Sequence, residues 1–549
     1  MVRTTSALLV AAVLASTCVS SARAFSLAQD VSFVRDQVSR RGGLGAGHDH
    51  HTSEVDDVPV DRLEYWYDGQ LLDHLNGGEN GETWSQRYFM NDTFFDKNKQ
   101  LVFLCVGGEG PALQPTVVVT GGEHCAWMIN LAEKFGALIV AAEHRFYGKS
   151  MPKPDYSVDS LQYLSSQQAQ GDLKRLRSFV TNTTDGLESY AKWITFGGSY
   201  PGMMAAWARM LNPDLFHASV SSSAPVQAEL NMQGYNDVVA YSLTDQSVGG
   251  SLSCLKNVKL AFMHLGDVLT GESQSDMEQL AKTYNVCNVS QIFEERNQKM
   301  FLEGFWGLFP LQSNDPSCEG DYCNYQKICD LFDKQDDPRQ SLLTLFQSLG
   351  PQAPQCYDIS WSEMIKSMQD IHSQDRSWIW QTCTEFGFYQ TCDPNTYCPF
   401  TSFPHASDLD SYLDICKQAY GIEGYDVANA VIESNQFYSG WNCNATNVFF
   451  VNGGVDPWHA ASVLFPNNKE QKTLMVKGAS HHAWTHPLTG HDQESVTEAR
   501  KDIEEIVANW VVGPATKEDV ERRMRRGGRR LGRRRTRGGG LGGGTGIVV

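Results

Sequence analysis

Short uninterrupted apolar runs, each stopping at a glycine-rich or polar loop, mark both ends of this chain's body. Leu101–Val106 runs into Gly107-Gly-Glu-Gly-Pro111, and 137–142 into Glu143-His-Arg-Phe-Tyr-Gly148. Residues 193–196 run into Gly197-Gly-Ser-Tyr-Pro-Gly202, 448–451 into Asn452-Gly-Gly-Val-Asp-Pro-Trp458, and 473–476 into Lys477-Gly-Ala-Ser-His-His482. Continuous apolar runs of this length are what parallel strands buried on both faces look like. Helical stretches such as 203–211 separate several of them, so the pattern predicts a doubly wound α/β sheet with its sites at the strand C-termini. Between 226 and 430 the rhythm is lost. Amphipathic segments at 277–282 and 340–349 and many cysteines predict an inserted, mostly helical cap there.

Composition changes this picture only at the ends. A chain of 549 residues with 41% hydrophobic and 20% charged content is globular, not disordered or fibrous. The net charge of −19 hides ten Arg and no acid in 522–549, so the body is more acidic still and repels nucleic acid. Residues 514–549 read as a disordered Arg/Gly tail. Arg3, an apolar run at 8–14 and Ala22-Arg23-Ala24 read as an export signal over 1–24. It is followed by a flexible segment or propeptide, 25–58; His48, His50 and His51 there read as a solvated linker, and no metal is expected. No later stretch is long and apolar enough to span a bilayer. The halves of the sheet domain are then 59–225 and 431–513.

Of 14 cysteines, Cys18 falls within the signal, leaving an odd number whose default reading in an exported chain is disulfides with one left over. Sequons at Asn91, Asn182, Asn288 and Asn444 fit the same secretory or lysosomal route.

Strand, Gly197-Gly-Ser199, then an alanine-rich helix is the setting of a nucleophile elbow, although Pro201 stands where the G-x-S-x-G pattern has its last glycine. Asp456 and His481 each follow a later strand, in the Ser, Asp, His chain order of an α/β-hydrolase. Ser199 is thus the candidate nucleophile, His481 its base and Asp456 the orienting acid, with the backbone N–H groups of Tyr200 and Gly108 facing the oxyanion. His482 competes with His481, and Asp456 could be a turn residue before Pro457. Glu143-His-Arg145 reads as an ion pair that stiffens a loop.

These motifs, with Gln70-Leu-Leu-Asp-His74, Gln86-Arg-Tyr88, Ser222-Ser-Ala-Pro225 and Trp380-Gln-Thr-Cys-Thr-Glu-Phe-Gly387, occur in an order that resembles one family. It is that of the lysosomal and secreted prolyl-specific serine peptidases: Pro-X carboxypeptidase, dipeptidyl peptidase II and thymus-specific serine protease. The resemblance runs from about Tyr65 to Trp510. It implies an α/β-hydrolase fold with a helical, disulfide-bonded cap, the triad Ser199, Asp456 and His481, peptide substrates, no cofactor, and room for a homodimer. It also implies cleavage near a chain end beside proline. Trp458 and Trp380 are candidates for an aromatic proline slot. Glu385 could meet a substrate amine or pair with an Arg inside the fold, and His482 becomes a neighbour that shapes the site. One departure stands out. Where the carboxypeptidase and dipeptidyl peptidase II branch follows its His pair with Leu-Asp-Leu-Arg, this chain has Ala483-Trp-Thr-His486, which leaves the direction of attack open. An esterase or lipase on the same fold, or a silent binding module, are the competing readings.

Overall fold

The computed structural model describes residues 62–76, 81–349, 355–400 and 408–511; the signal, the 25–58 segment with its histidines and the Arg/Gly tail lie outside them. Ten strands occur among the described residues: β1 (Glu64–Leu71), β2 (Thr83–Asn91), β3 (Leu101–Val106), β4 (Leu138–Ala142), β5 (Lys192–Gly198), β6 (Ala218–Ser222), β7 (Glu229–Asn231), β8 (Gly387–Tyr389), β9 (Val448–Gly453) and β10 (Gln471–Val476). Eight form one sheet in the order β1-β2-β4-β3-β5-β6-β9-β10. β2 is antiparallel to both neighbours, and every other pairing in that sheet is parallel. With helices on both faces, this is the α/β-hydrolase fold.

β3 and β4 are apolar throughout because each serves two cores. Along β3, Val102, Leu104 and Val106 enter one cluster while Leu101, Phe103 and Cys105 enter the other, as the two-residue period of a strand requires. Helix α1 (Gly122–Phe135) and the last helix, Glu494–Val511, cover the second face through Met128, Leu131, Ile503 and Val507. Helices α2 (Ser166–Thr183) and α3 (Tyr200–Leu211) cover the first face. That same cluster continues without a break into the cap, where Phe262, Phe305, Phe309 and Phe400 pack together.

The cap is helical apart from β7 and β8, which pair with each other. Cys254–Cys329, Cys287–Cys356, Cys318–Cys323, Cys383–Cys416 and Cys392–Cys398 lie within it, and Cys105–Cys125 ties β3 to α1. Closing loops of 75 and 69 residues removes much denatured-state freedom, typically about 2 to 4 kcal/mol per bond. Among the described residues Cys443 is the cysteine left without a disulfide, and it is buried.

Two expectations need correcting. Glu143 does not pair with Arg145: the Arg87 guanidinium grips Glu143 through Nε at 3.0 Å and Nη2 at 2.5 Å. Arg145 instead makes two 2.6 Å bonds to Asp172 on α2, whose Oδ1 also meets His74 Nε2 at 2.8 Å. Asn91 is buried, its amide donating to Val118 O at 2.9 Å, so the folded chain does not present that sequon. Asn182, Asn288 and Asn444 are exposed.

Candidate active site

Ser199 joins β5 to α3 with φ 62° and ψ −134°, a conformation a side-chain-bearing residue adopts only when its surroundings force it. Its N–H donates to Ser222 O at 2.9 Å, and its carbonyl accepts the first bond of α3 from Met203 at 3.1 Å. The turn is too tight for side chains nearby: a Cβ on Gly197 would come within 2.3 Å of Pro201 O, and one on Gly202 within 2.8 Å of Ser222 O. Gly202 is therefore the glycine that lets helix and strand close together, one place later than in the common pattern. Pro201 suits the first turn of α3, where its missing N–H would have no helical partner.

The other two sequence-predicted residues meet at the same end of the sheet. Asp456 is fully buried after β9, and its Oδ1 accepts from Trp458 N and from His481 Nδ1, both at 3.0 Å. That contact places a proton on Nδ1 and leaves Nε2 as the imidazole's acceptor. The His481 backbone N–H donates to Gln312 O of the cap at 3.3 Å. Three loops are thus locked together: Gly453 stands against Ala479 O and Ser480 O, and Gly198 against the His482 ring.

His482 is anchored by Ser223 and Thr485. Its N–H donates to Ser223 Oγ at 2.8 Å, its Nδ1 meets Thr485 Oγ1 at 3.1 Å, and its ring lies 4.4 Å from that of His481 and 5.3 Å from that of His486. Its place behind Gly198 is that of a support for the elbow. The loop after β3 presses on the elbow from the other side. A Cβ on Gly108 would lie 2.5 Å from the Pro201 ring and 3.2 Å from Tyr200, so only glycine permits that approach.

Trp458, 6% exposed, is edge-on to Tyr235 at 5.2 Å and to Phe388 at 5.4 Å, and 6.3 Å from the His481 ring. Gln312 Nε2 holds the Tyr235 hydroxyl at 3.0 Å, so the cap completes this aromatic wall. Trp380 is not part of it. Its indole donates to Leu164 O and its ring meets Tyr420; two positions earlier, on the other side of the helix, Trp378 lies 5.7 Å from Tyr200.

Glu385 pairs with no Arg. Its carboxylate takes the Ser166 N–H at 2.8 Å, the Ser166 hydroxyl and Gln381 Nε2 at 3.1 Å, closing the first turn of α2 against the cap. Gln381 is a junction the sequence did not advertise: it also donates to the Tyr200 hydroxyl at 3.1 Å and accepts from that of Tyr147 at 2.7 Å. Burial lowers His144 to about 4. The neutral ring gives Nδ1–H to Arg145 O at 2.8 Å and receives the Tyr200 O–H at Nε2, 2.9 Å away.

Burial raises Glu385 from an ordinary 4.5 to about 7, outweighing its hydrogen bonds. Between those values the folded protein holds a proton that the unfolded chain has released. The stability this gives is present in full below about 4.5 and is lost as pH rises through about 7, on the order of 3 kcal/mol in all. Glu385→Gln should remove that share of the slope between pH 5 and 7.5 in urea unfolding. An unchanged slope would mean that the carboxyl is ionised throughout.

A buried Asp–His pair beside a strained serine, roofed by a cap, defines a serine hydrolase. A family model described as serine carboxypeptidase S28 matches residues 70–503. The chain therefore belongs to the S28 family and is a serine peptidase. It is 34% identical over 80% of its length to human thymus-specific serine protease, covering 85% of that protein. To the mouse thymus-specific serine protease it is 33% identical over 88% of its length and 93% of the relative. It is 24% identical to bovine lysosomal Pro-X carboxypeptidase over 81% of this chain and 87% of that one.

Proposed function

We propose that this serine peptidase is an exopeptidase of the secretory or lysosomal route that cleaves short peptides beside proline through an acyl-enzyme. The observation that carries it is the Asp456–His481 bond at 3.0 Å, formed next to the Ser199 elbow and under a cap that itself bonds to His481. Ser199 Oγ attacks the scissile carbonyl carbon while His481 Nε2 takes its proton. The Tyr200 and Gly108 N–H groups receive the oxyanion, each worth a few kcal/mol of barrier. His481 then returns the proton to the leaving amine, and water enters by the same path to release the acyl group. Asp456 holds the ring and balances its transient charge.

The wall of Trp458, Tyr235 and Phe388 supports a proline-sized slot, and a cap spanning 226–430 between sheet halves 59–225 and 431–513 supports access by chain ends. Six disulfides and the exposed Asn182, Asn288 and Asn444 support the exported location, with glycans at those three positions. The test is mass spectrometry of products from peptides with Pro or Ala at the second and penultimate positions, ends free or blocked, before and after a serine-directed phosphonate. Phosphonate-sensitive loss of terminal fragments beside Pro is expected. Ester turnover with every peptide intact would instead make the protein an esterase.

A further inference from the structure

Tyr200, the residue after the nucleophile, carries the N–H assigned to the oxyanion, and its side chain is almost wholly buried. Its hydroxyl both donates and accepts, toward opposite sides. On the sheet side His144 Nε2 accepts its proton at 2.9 Å; on the cap side Gln381 Nε2 donates to its oxygen at 3.1 Å. The ring lies 5.7 Å from Trp378 and 5.6 Å from Phe386, both cap residues. Gln381 is 0% exposed and has both ends of its amide engaged. Its nitrogen also donates to Glu385 Oε1 at 3.1 Å, and its oxygen takes the Tyr147 hydroxyl at 2.7 Å. Glu385 Oε1 accepts the Ser166 N–H as well, at 3.0 Å, so it faces the NH₂ end of the amide and keeps it from turning over. Glu385 lies in a π-helical turn, Thr382–Phe386, that starts directly after Gln381. Cys383–Cys416 ties this turn to the cap helix Leu409–Tyr420. Such turns are rare, and frequent at functional sites.

Apolar residues at this boundary would hold a cap at least as firmly. A satisfied chain of buried hydrogen bonds does something else: it fixes one orientation and is spoiled by a small shift. Here the chain ends on the residue covalently joined to Ser199. An oxyanion donor works only at hydrogen-bonding distance from the oxygen that gains charge, and the Tyr200 N–H moves when its own side chain turns. We infer that Gln381 is a positioning residue of the reaction. Through the Tyr200 hydroxyl it aims the Tyr200 N–H at the oxyanion, so the elbow is fully set only while the cap is seated. This rests on the serine-peptidase relay proposed above and makes its chemical step depend on a side chain of the cap.

The experiment compares wild type, Gln381→Met, Tyr200→Phe and the double variant, with active sites counted by exhaustive phosphonate labelling of Ser199. Gln381→Met keeps the side chain's length without its hydrogen bonds, and Tyr200→Phe removes only the hydroxyl. Each protein is assayed for kcat and KM on a peptide with Pro before the scissile bond. Inhibition constants are measured for a peptide aldehyde ending in prolinal and for the matching alcohol ending in prolinol. Ser199 Oγ adds to the aldehyde carbon and turns its oxygen into the one the N–H groups receive; the alcohol binds without forming it. Per labelled site, Gln381→Met should lower kcat by about 10- to 100-fold with KM little changed. Aldehyde binding should weaken by a similar factor while alcohol binding stays as in wild type. The double variant should lose no more than the worse single one, because both act through one hydrogen bond. Equal weakening of aldehyde and alcohol would overturn the inference, since a cap that merely packs poorly loses both alike. So would single losses that multiply in the double variant, or a Gln381→Met protein whose kcat per site matches wild type. Should Gln381→Met fail to fold, Tyr200→Phe decides by the same split between aldehyde and alcohol. Wild type that neither labels nor cleaves fails the relay, and the inference with it.

Discussion

His481→Ala and Ser199→Ala are each expected to lower kcat on a good peptide by about 10⁶-fold, and the double variant by no more than either alone. The non-additivity is the point. A serine hydroxyl without its proton acceptor is as inert as no serine, because the attack and the proton transfer belong to one step. Peptide should still bind, since the aromatic wall and the cap contacts are untouched, so KM should change little. His482→Ala is the informative companion. Its ring lies against Gly198 and its backbone bonds Ser223, not Asp456, so its removal should act through packing, with a stability loss of about 1 to 3 kcal/mol and a far smaller loss of rate. Single-turnover kinetics on the three variants decide it. Substantial activity in His481→Ala together with silence in His482→Ala would exchange the roles of the two rings.

Much of this site was legible because its geometry depends on short-range pattern. β3, β4, β5 and β9 are buried on both faces, which writes itself as an apolar run, and each functional loop begins where a run stops. The strands that escaped reading are the polar ones. β6 carries Ser219, Ser221 and Ser222, all buried, and such a segment looks like a loop until the Ser221 hydroxyl is seen donating to Gly202 O and that of Ser222 accepting from Trp484 Nε1. β1 and β2 hide Gln70, Gln86 and Arg87 inside the fold, each satisfied by groups distant in sequence. Long-range pairing is also why Glu143 found Arg87 and Arg145 found Asp172. Glu143 and Arg145 stand two apart in the loop after β4 and reach different elements, and nothing local names either partner. Trp380 packs on Tyr420 while Trp378 lies near Tyr200, because helix residues two apart face opposite sides. Gln381 sat within a quoted motif, but its role comes from what it touches across the cap boundary.

Asp456→Asn is expected to lower kcat by about 10⁴-fold with KM nearly unchanged. Asp456 Oδ1 serves two donors, the Trp458 N–H and His481 Nδ1–H, while Oδ2 has none. An Asn amide can keep its oxygen toward Trp458 only by one of two compromises. If its NH₂ turns to His481, Nδ1 must accept, the ring proton moves to Nε2, and the base is blocked toward Ser199. If its oxygen still serves both donors, the tautomer survives, but the negative charge that offsets the imidazolium in the transition state is gone from a fully buried position. Either way the chemical step suffers and binding does not. The bland alternative is that Asp456 merely caps the turn Pro457–Ala461. A cap is worth about 1 kcal/mol of stability and nothing specific in rate. Measuring both quantities in one variant separates them: a 10⁴-fold fall in kcat with a shift in Tm of a few degrees makes Asp456 the acid of the relay, whereas a loss of rate under tenfold would return it to being a turn residue.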